Sequence, residues 1–258
     1  LNIKPAETTS SKFKVIHASA AAPGVTVITS TNKPHFLKHM FDNYRRQVWP
    51  NKEWIIVLNT DKAPLKRYQA MASRFKNIRV FQHPGSRSLG QCLNFASARA
   101  KHPYIARMDD DEYYAPYYLT SIMRAFRESK AAIVGKRAYF IYLNGSKLLL
   151  QRFYAEQRYV PVLAGGTISY KKSVWRKVKF ANLSLGEDVR FCRDCRRLGF
   201  KLYAGDKYNF CALRRKQYNT HTWKVSDREF IKHPFTRIVR RNCTHYEPIV
   251  NRSLNPMK

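Results

Sequence analysis

Acidic residues are scarce in this chain: seventeen Asp and Glu stand against forty-eight Lys and Arg in 258 residues, for a formal net charge of +31. An imbalance of that size speaks to partners and not to fold, and it predicts a polyanionic one: phospholipid head groups, a phosphate-containing polymer or nucleic acid. Long apolar runs are lacking too. Stretches such as Trp54 to Leu58 are far too short to cross a bilayer, and the first residues have no uninterrupted apolar core of a secretory signal. The chain is therefore expected to be cytoplasmic, or peripheral at the inner membrane face, with no transmembrane segment. Cysteine is sparse, and its odd count of five favours free thiols in a reducing compartment over a disulfide framework. Cys192 and Cys195 form one Cys-x-x-Cys inside an expected helix, Val189 to Leu198, with no second pair, so they read as buried thiols rather than zinc ligands. No glycine-rich phosphate loop of the Gly-x-Gly-x-x-Gly or Walker type follows any expected strand, which argues against a dinucleotide dehydrogenase or a P-loop NTPase.

What is present is a globular composition, 44% hydrophobic and 14% aromatic, enough for one large domain or two intimate halves. The few acids are also unevenly placed. Asp109, Asp110, Asp111 and Glu112 are consecutive, after the apolar run Tyr104-Ile105-Ala106-Arg107-Met108 and before Tyr113-Tyr114-Ala115-Pro116. This pattern predicts a buried strand, then a carboxylate cluster at its C-terminal end, then a turn into a helix. Carboxylates so close raise one another's pKa or require a cation between them, and hard oxygen ligands suit Mg2+ or Mn2+.

Short apolar strands alternate with amphipathic helices through the first half. Val25 to Ser30 precedes a helix carrying Phe36, Leu37, Met40, Phe41 and Tyr44. Trp54 to Leu58 precedes one through Leu65, Tyr68, Met71, Ala72 and Phe75, and Ile78 to Phe81 precedes one with Leu89, Leu93, Ala96 and Ala100. Such alternation predicts an α/β, doubly wound, mostly parallel sheet, with ligands bound beyond the carboxyl ends of the strands, where Thr29, Asn59, Asp61 and Asp109 to Asp111 fall. After the cluster the pattern turns to mixed sheet. Ile133 to Gly135 and Tyr139 to Leu143 read as strands, Asn144-Gly145 as a hairpin turn, and Gly165-Gly166-Thr167-Ile168-Ser169-Tyr170 as a strand whose glycines let backbone approach something closely. Leu185-Gly186-Glu187-Asp188 opens the next helix, where an acidic pair can serve simply as a cap.

These features in order resemble family-2 glycosyltransferases of the GT-A fold. The similarity rests on the first strand Val25-Thr26-Val27-Ile28-Thr29-Ser30-Thr31-Asn32, on Gln47 followed by Glu53-Trp54-Ile55-Ile56-Val57, on Leu93-Asn94 fifteen positions before Asp109, and on Gly165-Gly166-Thr167 and Gly186-Glu187-Asp188. The resemblance implies that Thr29, Asp61 and Asn59 hold a nucleotide base, most simply uracil, with Asn94 and Asp110 also at the donor. It implies that Asp109 reaches the ribose or a metal-bound water, and that Asp111 ligates a Mn2+ or Mg2+ ion bridging the phosphates of a UDP-sugar. His221 is implied as a further metal ligand, and Asp188, beside Glu187, as the catalytic base. The expected organisation is an N-terminal arm (1–23), a nucleotide-sugar-binding half (24–112), an acceptor-binding and catalytic half with mixed sheet (113–222) and a basic tail (223–258). Two departures bear on this: the second strand ends in Asn59-Thr60-Asp61 rather than a more acidic loop, and Glu112 stands where Asp is commoner.

The Gln-x-x-Arg-Trp motif of processive synthases is absent, which favours transfer of a single sugar. Between Lys171 and Lys216 fourteen Lys and Arg face four Asp and Glu, so the acceptor is expected to be a polyanion such as a cell-envelope glycan, or to lie at an anionic membrane surface. Two other readings use the same charge: a transferase acting on nucleic acid, for which no helix-turn-helix, zinc-finger or RNP-like signature is present, and a non-catalytic polyanion-binding protein on a transferase scaffold.

Overall fold

The computed structural model describes residues 22–62, 64–215 and 225–254. The chain begins with the β-branched strand β1 (Val25–Thr31), then α1 (Leu37–Arg45), β2 (Lys52–Asn59), α2 (Leu65–Ala72), β3 (Ile78–His83), α3 (Leu89–Arg99) and β4 (Tyr104–Arg107). Polar residues set some of these limits. Ser88 caps α3 by accepting from the Gln91 N–H while the Gln91 side chain accepts from the Ser88 N–H, a reciprocal capping box.

The second half adds β5 (Tyr113–Tyr114), α4 (Tyr118–Ser129), β6 (Ile133–Gly135), β7 (Tyr139–Leu143), β8 (Leu148–Arg152), β9 (Arg158–Tyr159), β10 (Ser169–Lys171), α5 (Lys172–Lys177), α6 (Glu187–Arg197), β11 (Leu202–Ala204) and β12 (Phe210–Arg214). It closes with α7 (Asp227–Lys232), β13 (Thr236–Arg240) and α8 (Glu247–Val250). Residues 225–254 of the expected tail pack onto the body: β13 pairs antiparallel with β8, and Phe230, Cys243 and Val250 are buried.

The main sheet runs β3-β2-β1-β4-β10-β6-β11-β9. Strands β1 to β4 are mutually parallel, and β10 inserts antiparallel between β4 and β6. Alternation along β2 shows why two helical layers are needed. Trp54, Ile56 and Leu58 join Met40, Phe41 and Tyr44 of α1, Tyr68 of α2 and Tyr118 of α4 in one core, while Ile55 and Val57 join Leu93 of α3, Val174 of α5 and Phe191 of α6 in the other. A smaller sheet, β13-β8-β7-β12-β5, packs beside it. This is the α/β, doubly wound arrangement with a mixed second half that the sequence predicts. Among the described residues no helix is long and apolar enough to cross a membrane.

Two expected details differ. Gly165–Thr167 is a 3-10 turn leading into β10, not part of the strand, and Tyr113–Tyr114 forms a short strand paired with β12 before α4 starts. In both places a long-range partner overrides the local pattern.

Glu53 ties the starts of the parallel strands together. Its carboxylate accepts from Thr26 Oγ1 (2.7 Å), from the Lys101 N–H (2.6 Å) and from Arg79 Nη2 (3.0 Å). Burial alone would raise its pKa, but these donors outweigh it and hold the carboxyl below the ordinary glutamate value. Replacing it, Glu53→Ala, is expected to cost about 3 kcal/mol by leaving buried donors unpaired. Because a depressed folded-state pKa stabilises only while the group stays ionised, the deficit should narrow as pH falls below about 4. Urea denaturation of parent and variant across pH measures both effects.

Candidate functional site

Strand order reverses direction between β1 and β4: β1, β2 and β3 step outward on one side, and the chain returns to place β4 on the other. The crevice beyond the carboxyl ends of β1 and β4 is the switch point of the sheet, and the acidic cluster lies in it. Its walls are joined by backbone, with the Met108 N–H donating to Ile28 O at 3.1 Å and the Arg107 N–H to Ile168 O at 3.1 Å.

The four acids are not equivalent. Asp109 is held by Arg107, whose Nε and Nη2 reach its two oxygens at 2.6 and 3.1 Å. The same guanidinium sends Nη1 to Glu187 Oε1 at 2.9 Å, so one buried arginine bridges the cluster to the start of α6. Burial works against the Arg107 charge, but Asp109 and Glu187 outweigh it and hold the group well above its usual value. Asp110 is buried and accepts from Thr31 Oγ1 at 2.5 Å; burial, then the Asp111 charge, pushes its carboxyl up to about 7 against the pull of Lys33. Glu112 accepts from the Leu213 N–H at 2.6 Å, and burial together with Asp111 pushes it well above the usual carboxylate range. Its carbonyl takes His39 Nε2 and Asn43 Nδ2, at 2.7 and 2.8 Å. Glu112, whose role the sequence left open, is thus a strut between α1 and β12.

Asp111 faces cations across the crevice: Lys33 Nζ lies at 2.7 Å and Arg215 Nη1 at 3.5 Å. Burial opposes the Lys33 charge, yet Asp110 and Asp111 raise its pKa overall. The cluster therefore meets countercharge in the protein itself. Among the described residues no three His, Cys, Asp or Glu side chains converge on one cation position. The chemistry at Asp111 nevertheless fits a hard divalent ion, since a carboxylate oxygen within an acidic cluster is the kind of ligand such an ion would take. His221, expected as a ligand, lies outside the described residues.

The paired glycines explain how two carboxylates approach one backbone turn. A methyl on Gly165 would overlap the Asp188 carboxylate, and a methyl on Gly166 would sit 2.9 Å from Asp109 Oδ2. Tyr114 locks this turn, accepting from the Asp109 N–H at 2.7 Å and donating to Gly166 O at 2.7 Å. Asp188 Oδ1 accepts from the Val189 N–H at 2.8 Å in the first turn of α6, and Glu187 beside it is buried, which raises its pKa against the pull of Arg107. Asp109, Glu187 and Asp188 are thus assembled from distant parts of the chain around one guanidinium and one glycine turn.

Other expected contacts are placed elsewhere. Thr29 is buried, its hydroxyl donating to Met108 O at 2.7 Å and accepting from Trp54 Nε1 at 2.9 Å, so it braces β1, β2 and β4 and is not open to a base. Asn94 is likewise occupied. It donates to Phe180 O and accepts from Trp175 Nε1 and the Phe180 N–H, fastening α3 to the segment after α5. Asn59 donates to Arg87 O at 2.9 Å while its buried Oδ1 has no hydrogen-bond partner among the described residues, and Asp61 accepts from the Gly85 N–H at 3.2 Å on the exposed rim. Cys192 and Cys195 lie in the core under α6, where burial pushes both thiols up to about 12, as inert buried thiols should behave.

Sequence reasoning missed Arg107, Lys33, Thr31 and Tyr114. The available signal was an arginine inside a four-residue apolar strand, a position where a charge requires buried acids. Replacing it, Arg107→Met, is expected to cost about 3–5 kcal/mol because Asp109 and Glu187 are left facing each other without a partner. Arg107→Lys should recover part of the loss but not the fork-like bridge to both acids. Guanidinium denaturation of the three proteins checks the order.

The profile of Glycosyl transferase family 2 matches residues 26–221. A comparison with curated protein sequences finds no match. Among solved structures, the 1–349 fragment of S. aureus TarS in complex with UDP-GlcNAc is similar at TM-score 0.58 and 17% identity, over 79% of this chain and 62% of that one. Without that ligand the fragment is similar at TM-score 0.55 and 15% identity, over 74% and 60%. The mannosyltransferase PcManGT from Pyrobaculum calidifontis, in complex with GDP-Man and Mn2+, is similar at TM-score 0.58 and 17% identity, over 78% and 59%. The chain thus spans about three fifths of the length of these structures, and at such identities the likeness is one of fold. Because the family profile runs from β1 to residue 221, over more than half of the sequence, the protein belongs to glycosyl transferase family 2 and carries its GT-A type fold.

Proposed function

We propose that this protein moves a single sugar from a UDP-sugar to a hydroxyl of a polyanionic acceptor, a cell-envelope glycan, with inversion at the anomeric carbon. The observation that carries the reading is the division of labour among the acids. Asp109, Asp110 and Glu112 are occupied by Arg107, Thr31 and Leu213, whereas Asp111 faces the crevice with Lys33 and Arg215, and Asp188 stands across the glycine turn. The bound ligands UDP-GlcNAc and GDP-Man in the similar structures support a nucleotide-sugar donor.

The base of the donor is assigned to Asn59 at the end of β2 and to Asp61 just after it. Asp111, with Asp109 and His221 as further candidates, would hold a Mn2+ or Mg2+ ion, which would supply countercharge to the diphosphate. Lys33 and Arg215 add fixed positive charge where the leaving oxygen becomes negative. Asp188 accepts the proton of the acceptor hydroxyl as the new carbon–oxygen bond forms and the carbon–phosphate-oxygen bond breaks, so nucleoside diphosphate leaves from the opposite side. Glu187 does not take that proton. It is tied to Arg107 and sets the position of the first turn of α6.

Asp111→Ala should abolish Mn2+-dependent binding of UDP, because the remaining carboxylates cannot supply the same direct oxygen ligand; calorimetry that finds parent-like affinity would remove Asp111 from the metal site. Asp188→Asn should leave donor binding intact and lower turnover by at least about a hundredfold, the scale expected on losing a general base. Single-turnover sugar transfer reads this directly, and an unchanged rate would exclude Asp188 from the reaction.

A further inference from the structure

The edge of the main sheet opposite the crevice carries the reverse charge. Strand β2 begins at Lys52, β3 and β4 follow closely on Lys76 and Lys101, and β6 and β11, which run the same way, follow Lys130 and Lys201. Strand β10 runs against them and ends at that edge in Lys171, followed by Lys172. Topology alone therefore gathers lysines from distant parts of the sequence along one side. Glu53, the acid at these strand starts, is fully engaged by Thr26, Arg79 and the Lys101 N–H.

A pocket of about 450 Å³ opens in this edge, with Lys101 and His102 on one wall and Lys171, Lys172, Ser173 and Arg176 on the other. Among the described residues no carboxylate lines it. The Lys172 ammonium donates to Ala100 O and so braces the wall. The side chains of Lys101, Lys171 and Arg176 make no ion pair among the described residues. Cations gathered in a concavity without an acid repel one another, and a ligand that only accepts hydrogen bonds and carries negative charge relieves this. Phosphate groups have that chemistry. A bilayer is the poorer match, because none of the exposed large apolar side chains among the described residues lines the pocket, and a lipid surface meets protruding apolar groups more readily than a concave polar wall.

We propose that this pocket binds phosphate groups of the polyanionic acceptor chain, as a second site outside the catalytic crevice. The two are separated by the length of β4, since Tyr104 floors the pocket and Asp109 lies five residues on, about 16 Å along the sheet. A chain held there raises its local concentration at the crevice without touching the reacting atoms. The inference rests on the polyanionic-acceptor reading above, and donor binding serves as the independent check on the transferase reading.

The test uses the full chain and fluorescently labelled long-chain polyphosphate, comparing the parent with a triple variant, Lys101→Gln, Lys171→Gln and Arg176→Gln. Affinity should fall at least about tenfold, and the slope of log affinity against log salt should become shallower by about two to three, with Mn2+-dependent UDP binding unchanged. If the triple variant fails to fold, protection of Lys101 and Lys171 from amine acylation by polyphosphate in the parent gives the same answer. Equal affinity and slope in parent and variant, an absence of protection, or a loss confined to phosphatidylglycerol vesicles or duplex DNA overturns the proposal. Loss of polyphosphate affinity in a protein that binds no UDP would sustain the pocket while sinking the transferase reading.

Discussion

The site depends on one buried guanidinium. Arg107 sits in the fourth parallel strand with its side chain enclosed, and it joins an acid from the end of that strand, Asp109, to an acid from the first turn of α6, Glu187. Arg107 and Glu187 are eighty positions apart in sequence. Without a fixed cation between them the two carboxylates would face each other unpaired, and α6 would lose its anchor beside the crevice. The glycine turn at Gly165 and Gly166 then lets Asp109 and Asp188 approach the same backbone, and the Tyr114 hydroxyl ties the turn to the cluster, donating to Gly166 O and accepting from the Asp109 N–H.

Charge separation across the sheet follows from the same architecture. Parallel strands direct all their carboxyl ends to one edge, where the acidic cluster lies, and all their amino ends to the other, where the lysines lie. A chain with so few acids concentrates them where each has a partner: Asp109 with Arg107, Asp110 with Thr31, Asp111 with Lys33 and Glu112 with the Leu213 amide. Most of the remaining surface charge is positive and screened only over about 8 Å at physiological salt, so it acts as a field on distant anions, whereas the crevice acts at contact.

The strands and helices of the first half were legible because their periods are strong: β2 alternates Trp54, Ile56 and Leu58 against Ile55 and Val57, and each set has its own helical layer. The acidic cluster was legible as consecutive carboxylates in a basic chain. What escaped was side-chain direction. Thr29 and Asn94 stand where ligand contacts were expected, but the Trp54 indole claims one and the Phe180 backbone the other, and those partners lie far off in sequence. Lys33 was one lysine among many until the fold brought it to Asp111, and Gly165-Gly166 read as strand because its neighbours are strand-like while its role is to make room for Asp109 and Asp188.

The central claim is that the cluster is a buried, partnered assembly and not a solvated acidic turn. Carboxyl-carbon NMR titration of Asp- and Glu-labelled protein without added metal tests it most directly. The account predicts that Asp110 titrates at about 7 and that Glu112 and Glu187 titrate above their ordinary range. Titration of all three between about 3.5 and 4.5, as for solvated carboxyls, would contradict it.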